Sequence, residues 1–355
     1  IARPTAIGGE NAKGGEEAIH IITVETPSIF SGLNMANNVV SRRLNLSHAK
    51  AIVFSKELAM EDVSKYINAF VRDRETRPNI QILVSRTSAE DYLRAVSPTL
   101  VINPAKFFEL SFKTYKYTAF TANTDLHRFN SNMKSISQSP VAVLAGVNEV
   151  TDSKDINIKG STYKDKGRDL PLEGDFKAGD ISKAGETQAE IMGLAVFDGA
   201  RMVGELDGGE TSLFLMITGE YNKSFITLPD PIDKGKIVIL DVKKSREPFL
   251  KVELNGDKPK IYVKIMLEGD IQSIQSGIEY ENLDNIEILE HEYEKAIKEG
   301  MEKLLNRSAQ ELKSDIFGFG KKAKAKFLTW DDWEKYEWKK KYQSSTFEVE
   351  GDFKI

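Results

Sequence analysis

Apolar residues at Ile286, Leu289, Tyr293, Ile297, Met301, Leu304, Leu305, Ala309, Leu312 and Ile316 recur in steps of three and four. That spacing places them on one face of a helix. Glu290, Glu294, Lys298, Glu302 and Lys303 fall on the opposite face, as a solvated surface requires. Asp284 with Glu287 three positions on reads as a capping box, and Gly318 and Gly320 supply a stop. The pattern therefore predicts one helix within residues 282–320, about thirty residues and roughly 45 Å long. An amphipathic rod of that length needs a sheet to lie on.

Strand patterns flank it. Residues 225–228, 236–243, 248–254 and 260–271 alternate or run apolar, and Ile261, Val263, Ile265 and Leu267 show the period of two that a one-sided antiparallel sheet requires. Asp198-Gly199 and Asn255-Gly256-Asp257 read as hairpin turns, and residues 347–355 as a last strand. The first half alternates strands with helices. Strands are expected at 18–24, 49–54, 79–84 and 140–147. Helices are expected at 31–44, 61–76, 104–120 and 123–133, with a short one opened by Ser88. Pro78 forbids continuation of the 61–76 helix. Residues 151–190 are rich in Asp, Lys and Gly and read as a long exposed loop. The expected class is α+β, a mixed fold in three parts. An α/β-type domain spans 1–103, and a helical region with the polar segment spans 104–190. In 191–355 the long amphipathic helix packs on an antiparallel sheet.

Composition narrows the function. The chain has 355 residues, 40% hydrophobic and 29% charged, which suits globular domains. Its net charge of −5 argues against a nucleic-acid binder. Without cysteine it has no disulfide, thiolate metal site or Cys nucleophile. No apolar run reaches the ~18 residues of a spanning helix. His291-Glu292 evokes the zinc motif H-E-x-x-H, but Lys295 stands where the second His belongs, so a charged helix face is the better reading. Gly318-Phe319-Gly320 does not leave a strand and is rejected as a phosphate loop. Trp330, Trp333, Tyr336 and Trp338, near helical spacing, read as a short helix docked on the sheet. Arg72, Arg74 and Arg77 close a helix, where positive charge complements the dipole. No cofactor and no catalytic residue is indicated.

Three separated motifs carry a family resemblance. Ser47-His48, Ser55-Lys56-Glu57-Leu58-Ala59 and Arg72-Asp73-Arg74-Glu75-Thr76-Arg77 form the first. FDGARMVGELDGGET, from Phe197 to Thr211, is the second. Asp315-Ile316-Phe317-Gly318-Phe319-Gly320, followed by Trp330, Trp333 and Trp338, is the third. In order and in content they resemble the C-subunit lipoproteins of bacterial spore germinant receptors. The resemblance implies a three-domain α+β fold, no enzymatic activity, and a place on the outer face of the spore inner membrane beside two integral-membrane subunits. Such proteins carry a signal peptide and a lipid-modified cysteine. Neither is in this sequence, which begins at Ile1, so it is expected to start just after the anchor and to behave as a soluble monomer. Arg72, Asp73, Arg74, Arg77, Asp315, Phe317, Gly318, Phe319 and Gly320 are the candidate partner-contact or structural residues. The alternative is a module that itself binds an amino acid or sugar germinant.

Overall fold

Every strand of the first sheet alternates its side chains between two separate cores. The computed structural model describes residues 21–40, 43–96, 104–148, 172–181, 183, 187–256 and 258–355. The first sheet has the order β1-β2-β3-β4-β5, formed by Ala51–Ser55, Gln81–Ser85, Val141–Val147, Ala189–Asp198 and Arg201–Leu206. β1, β2 and β3 are parallel, and β4 and β5 continue antiparallel. One face presents Ile52, Phe54, Ile82, Val84, Ala142 and Leu144 to the helices α2 (Lys56–Glu61), α3 (Ser64–Arg72) and α7 (Leu126–Met133). The other presents Leu83, Val143, Leu194 and Val196 to a larger core shared with the second sheet. α1 (Ile29–Val39), α4 (Ala89–Ala95), α5 (Pro104–Ser111) and α6 (Tyr115–Thr118) complete the first half.

The second sheet has the order β6-β7-β8-β9, with β6 at Lys223–Pro229, β7 at Ile237–Asn255, β8 at Lys258–Ile274 and β9 at Thr346–Lys354. The expected strands at 236–243 and 248–254 are one 19-residue strand, with register shifts between Ile239 and Leu240 and on either side of Arg246. β6, β7 and β8 are antiparallel as expected, whereas β9 returns parallel to β8. A parallel return needs a crossover, and the long helix supplies it.

That helix, α9, runs from Leu283 to Gln310. The stripe is buried as its spacing requires: Leu289, Tyr293, Ile297, Met301, Leu304, Leu305 and Ala309 are all inside. Tyr293 crosses to the sheet, donating its hydroxyl to the carbonyls of Ile226 and Val238 at 3.0 and 2.8 Å and stacking on Phe353. Both expected ends shift. The cap is Asn282, whose side chain accepts from the Asp284 amide, so Asp284 lies inside the first turn, where its charge suits the dipole. The C-terminal stop comes before Gly318, because Lys313 takes φ 52° and the Ser314 amide folds back to the Ser308 carbonyl. Leu312 and Ile316 stay buried, in the turn and not on the helix.

Other expectations are corrected. The 104–120 helix is two short ones, α5 and α6. Residues 21–24 form no strand, and Ala18 to His20 lie outside the described residues. Most of 151–190 also lies outside them. The part described at 172–181 is not an exposed loop: Ala178 is fully buried, and its carbonyl approaches so near that a Cβ on Gly146 would meet it at 2.4 Å. The pattern also hid α8, Gly208–Thr218, which lies in the core between the sheets and so has no polar face to set a helical period.

Truncating Leu304 to Ala should cost about 2–5 kcal/mol, whereas Glu302→Ala should change stability by less than about 0.5 kcal/mol. Denaturant melts of the two variants check the orientation of α9. Equal losses would contradict it.

Candidate functional site

Once α9 ends, the chain must reverse and start α10 (Phe319–Lys324) inside the core, where no water can satisfy the new helix's first amides. Gly318 occupies the cap position and has no side chain to offer. Asp315 does the capping instead. Its Oδ1 accepts from the amides of Gly318 at 2.9 Å and Phe319 at 3.2 Å. Its Oδ2 accepts from the Gly320 amide at 2.7 Å and from the Trp338 indole N–H at 2.9 Å. The Asp315 carbonyl in turn accepts from the Ser139 amide, and the Ile316 carbonyl from the Gln138 side chain.

Each residue of this hexapeptide has a physical reason. Gly318 sits at φ 81°, a region costly for residues with a Cβ, and a Cβ there would press on Gln138 at 3.1 Å. A Cβ on Gly320 would meet the Ser137 carbonyl at 2.4 Å and the Trp338 indole nitrogen at 2.5 Å, so no side chain fits. Phe317 packs on Phe214 of α8, and Phe319 on Tyr342 and Phe347. Trp333 of α11 (Trp330–Tyr336) and Trp338 of α12 (Trp338–Tyr342) are buried, as a docked helix requires, while Trp330 is not.

The middle motif reaches the same place. Ser314 donates its hydroxyl to the Phe197 carbonyl at 2.7 Å, and Gly204 leaves room for the Leu312 side chain. Asp198 pairs with Lys339 at 2.6 Å. Arg307 of α9 binds Glu210 and donates to the Glu205 carbonyl at 3.0 Å. Asp207 and Glu210 form the capping box of α8.

Part of the N-terminal motif joins through Glu205. This carboxylate is buried on β5 and receives Lys56 of α2 at 2.7 Å, Lys177 at 3.2 Å and Arg86 at 3.7 Å. Burial pushes its pKa up. The Lys56 hydrogen bond and the charges of Lys177, Lys56 and Arg86 more than reverse that, holding it below the usual carboxylate value. Lys56 and Glu205 both lie in quoted motifs, but their pairing across 149 positions has no signal in the sequence.

Arg72, Asp73, Arg74 and Arg77 are not brought to this hub. They form the end of α3 and the turn before β2. Asp73 there accepts from the Thr76 hydroxyl at 2.6 Å, and the three arginines are exposed. His291 is exposed on α9, as a charged helix face requires. Among the described residues no group of three His, Asp or Glu could hold a metal ion. A cleft of about 670 Å³ between α1, α3, α4 and α5 has only His48 and Lys50 as polar side chains among its lining residues.

Two family models match the chain. One, described as the N-terminal domain of a spore germination protein, covers residues 1–147. The other, described as spore germination B3/GerAC like, C-terminal, covers 192–355. YfkR of Bacillus subtilis (strain 168), a protein named for spore germination, is 24% identical over 343 residues, which is 96% of this chain and 79% of YfkR. The crystal structure of the GerBC protein superposes with a TM-score of 0.60 at 17% identity, over 87% of this chain and 79% of that one. At that identity the likeness establishes the fold.

Asp315 titrates upward in this setting. Burial raises its carboxyl, and the four donated hydrogen bonds pull it back, leaving it at about 6 against an ordinary 3.8. A carboxyl that holds its proton more tightly when folded contributes its full stability below about 3.8 and loses it as pH rises through about 6. That difference is worth about 3 kcal/mol. Asp315→Asn does not titrate, so the stability of the parent relative to this variant should fall by about that amount between pH 3 and pH 7. Urea melts across that range decide it. Parallel pH profiles would rule out a buried titrating Asp315.

Proposed function

The chain belongs to the C-subunit family of spore germinant receptors, and from that premise we propose that it serves as a non-enzymatic structural subunit. In this reading it assembles with two integral-membrane subunits, is held at the outer face of the spore inner membrane by a lipid anchor, and supports assembly and signalling. One observation carries it. The third motif, together with the middle motif and Lys56 of the first, is spent on an interlock centred on the buried Asp315 and Glu205. Residues used in this way hold a shape for partners. Arg72, Arg74 and Arg77 stand outside the interlock on the surface, which suits them to touch a partner.

The rival reading, direct germinant binding, needs a pocket with several convergent polar groups. The cleft between α1, α3, α4 and α5 has an apolar lining apart from His48 and Lys50, a poor match to an amino acid or sugar.

In spores, Gly320→Val should lower the level of this subunit and of its two partners together, and germination should fall in proportion, because the clash with Ser137 and Trp338 acts through folding. Arg72→Glu with Arg74→Glu should leave the subunit folded yet reduce its co-purification with the membrane subunits. Full co-purification of the arginine variant would remove these residues from the interface. A stable, abundant Gly320→Val protein that still abolishes germination would overturn the architectural reading. Calorimetric titration of the purified chain with amino acids and sugars should give no micromolar binding. One such binding isotherm would favour the rival.

A further inference from the structure

Between α10 and α11 the chain makes a projecting turn whose composition runs against that of the whole molecule. Residues 321–328 hold four lysines and no carboxylate, in a protein whose net charge is −5. Lys321, Lys322, Lys324 and Lys326 are all exposed. At the apex Leu328 is fully exposed, and Trp330 two positions on is 53% exposed, with the Lys324 ammonium 4.4 Å from its ring centre.

This apolar tip is held in place. Phe327 is clamped between Trp333 and Tyr336, with ring centres 5.4 and 5.1 Å apart. The Lys326 and Phe327 amides donate to the carbonyls of Ala323 and Lys324. Thr329 caps α11 by accepting from the Asp332 amide at 3.2 Å. With Phe327 anchored inward and Thr329 committed to the cap, Leu328 has only solvent to face. A lone exposed leucine is unremarkable, but here Leu328 and Trp330 together make a fixed apolar tip ringed by lysines.

We propose that this turn is a membrane-surface contact that seats Leu328 and Trp330 in the headgroup layer of an anionic bilayer, with the four lysines against lipid phosphates. The apolar tip is too narrow for a protein interface core, where lysine is depleted. Trp beside Lys is the pairing found at membrane–water boundaries, where each basic residue near an anionic surface adds about 1 kcal/mol. The lysines also supply the charge complementarity that selects an anionic surface over a neutral one. The inference rests on the turn itself and does not use the receptor assignment.

The test is sedimentation of the purified chain with vesicles of phosphatidylglycerol mixed into phosphatidylcholine, beside vesicles of phosphatidylcholine alone. The chain should partition to the anionic vesicles only, and binding should weaken as salt shortens the Debye length from about 10 Å at 0.1 M to about 3 Å at 1 M. Leu328→Asp should lower partition by about tenfold or more. Each Lys→Gln among the four should lower it about fivefold, the equivalent of that 1 kcal/mol. All five side chains are exposed, so the variants should melt with the parent. Equal binding to both vesicle types, no binding to either, or variants that partition like the parent would each overturn the proposal. So would variants that keep vesicle binding but lose a protein partner on co-purification, since the turn would then be a protein contact. No receptor subunit is present in the vesicle assay, so its failure leaves the receptor reading untouched, and failure of the spore experiment leaves this one untouched.

Discussion

A carboxylate buried in a protein core is tolerable only when enough donors replace the water it has lost. Asp315 has four, three from consecutive backbone amides and one from an indole, shared two to each oxygen. The dependence runs both ways. Without the carboxylate, the first turn of α10 would leave buried amides with no acceptor. Without Gly318 and Gly320 the backbone could not wrap closely enough to supply them. The end of α9, the start of α10 and the seating of Trp338 are therefore one decision made around one side chain.

From that point the architecture can be followed outward. Trp338 and Tyr342 continue the aromatic packing to Phe319 and to Phe347 of β9, and the Tyr342 hydroxyl meets Ser308 of α9 at 2.6 Å. Ser314 ties the turn to the end of β4, and Arg307 ties α9 to β5 and α8. On the same strand β5, Glu205 gathers Lys56, Arg86 and Lys177 from the first half of the chain. Two buried carboxylates thus join segments far apart in sequence, and each is satisfied in its own way. Asp315 is held by neutral N–H donors and is pushed toward the neutral form by burial, whereas Glu205 is kept ionised by cations.

The sequence made some of this readable and hid the rest for physical reasons. The stripe of α9 was readable because one face of the helix meets water and the contrast sets the period. The period of two along β8 was readable for the same reason. α8 was not, because Phe214, Leu215, Met216 and Ile217 are all buried and leave no contrast. The direction of β9 was not readable either, since alternation is the same in both directions along a strand. Asp315 could be singled out with its two glycines, yet its fourth donor, Trp338, is reached only by folding α11 and α12 back over it. The arginines after α3 were singled out by the same resemblance and lie elsewhere, on the surface.

The central claim, that the Asp315 interlock is part of the global core and not a local loop, is tested most directly by native-state hydrogen exchange at the amides of Gly318, Phe319 and Gly320. If they are donors to a buried carboxylate on which the fold depends, they should exchange only through global unfolding, with the same protection and the same denaturant dependence as core amides of β8. Exchange at the rate of an exposed turn, or through an opening with little denaturant dependence, would show that the carboxylate caps a segment able to open on its own, and would contradict the account.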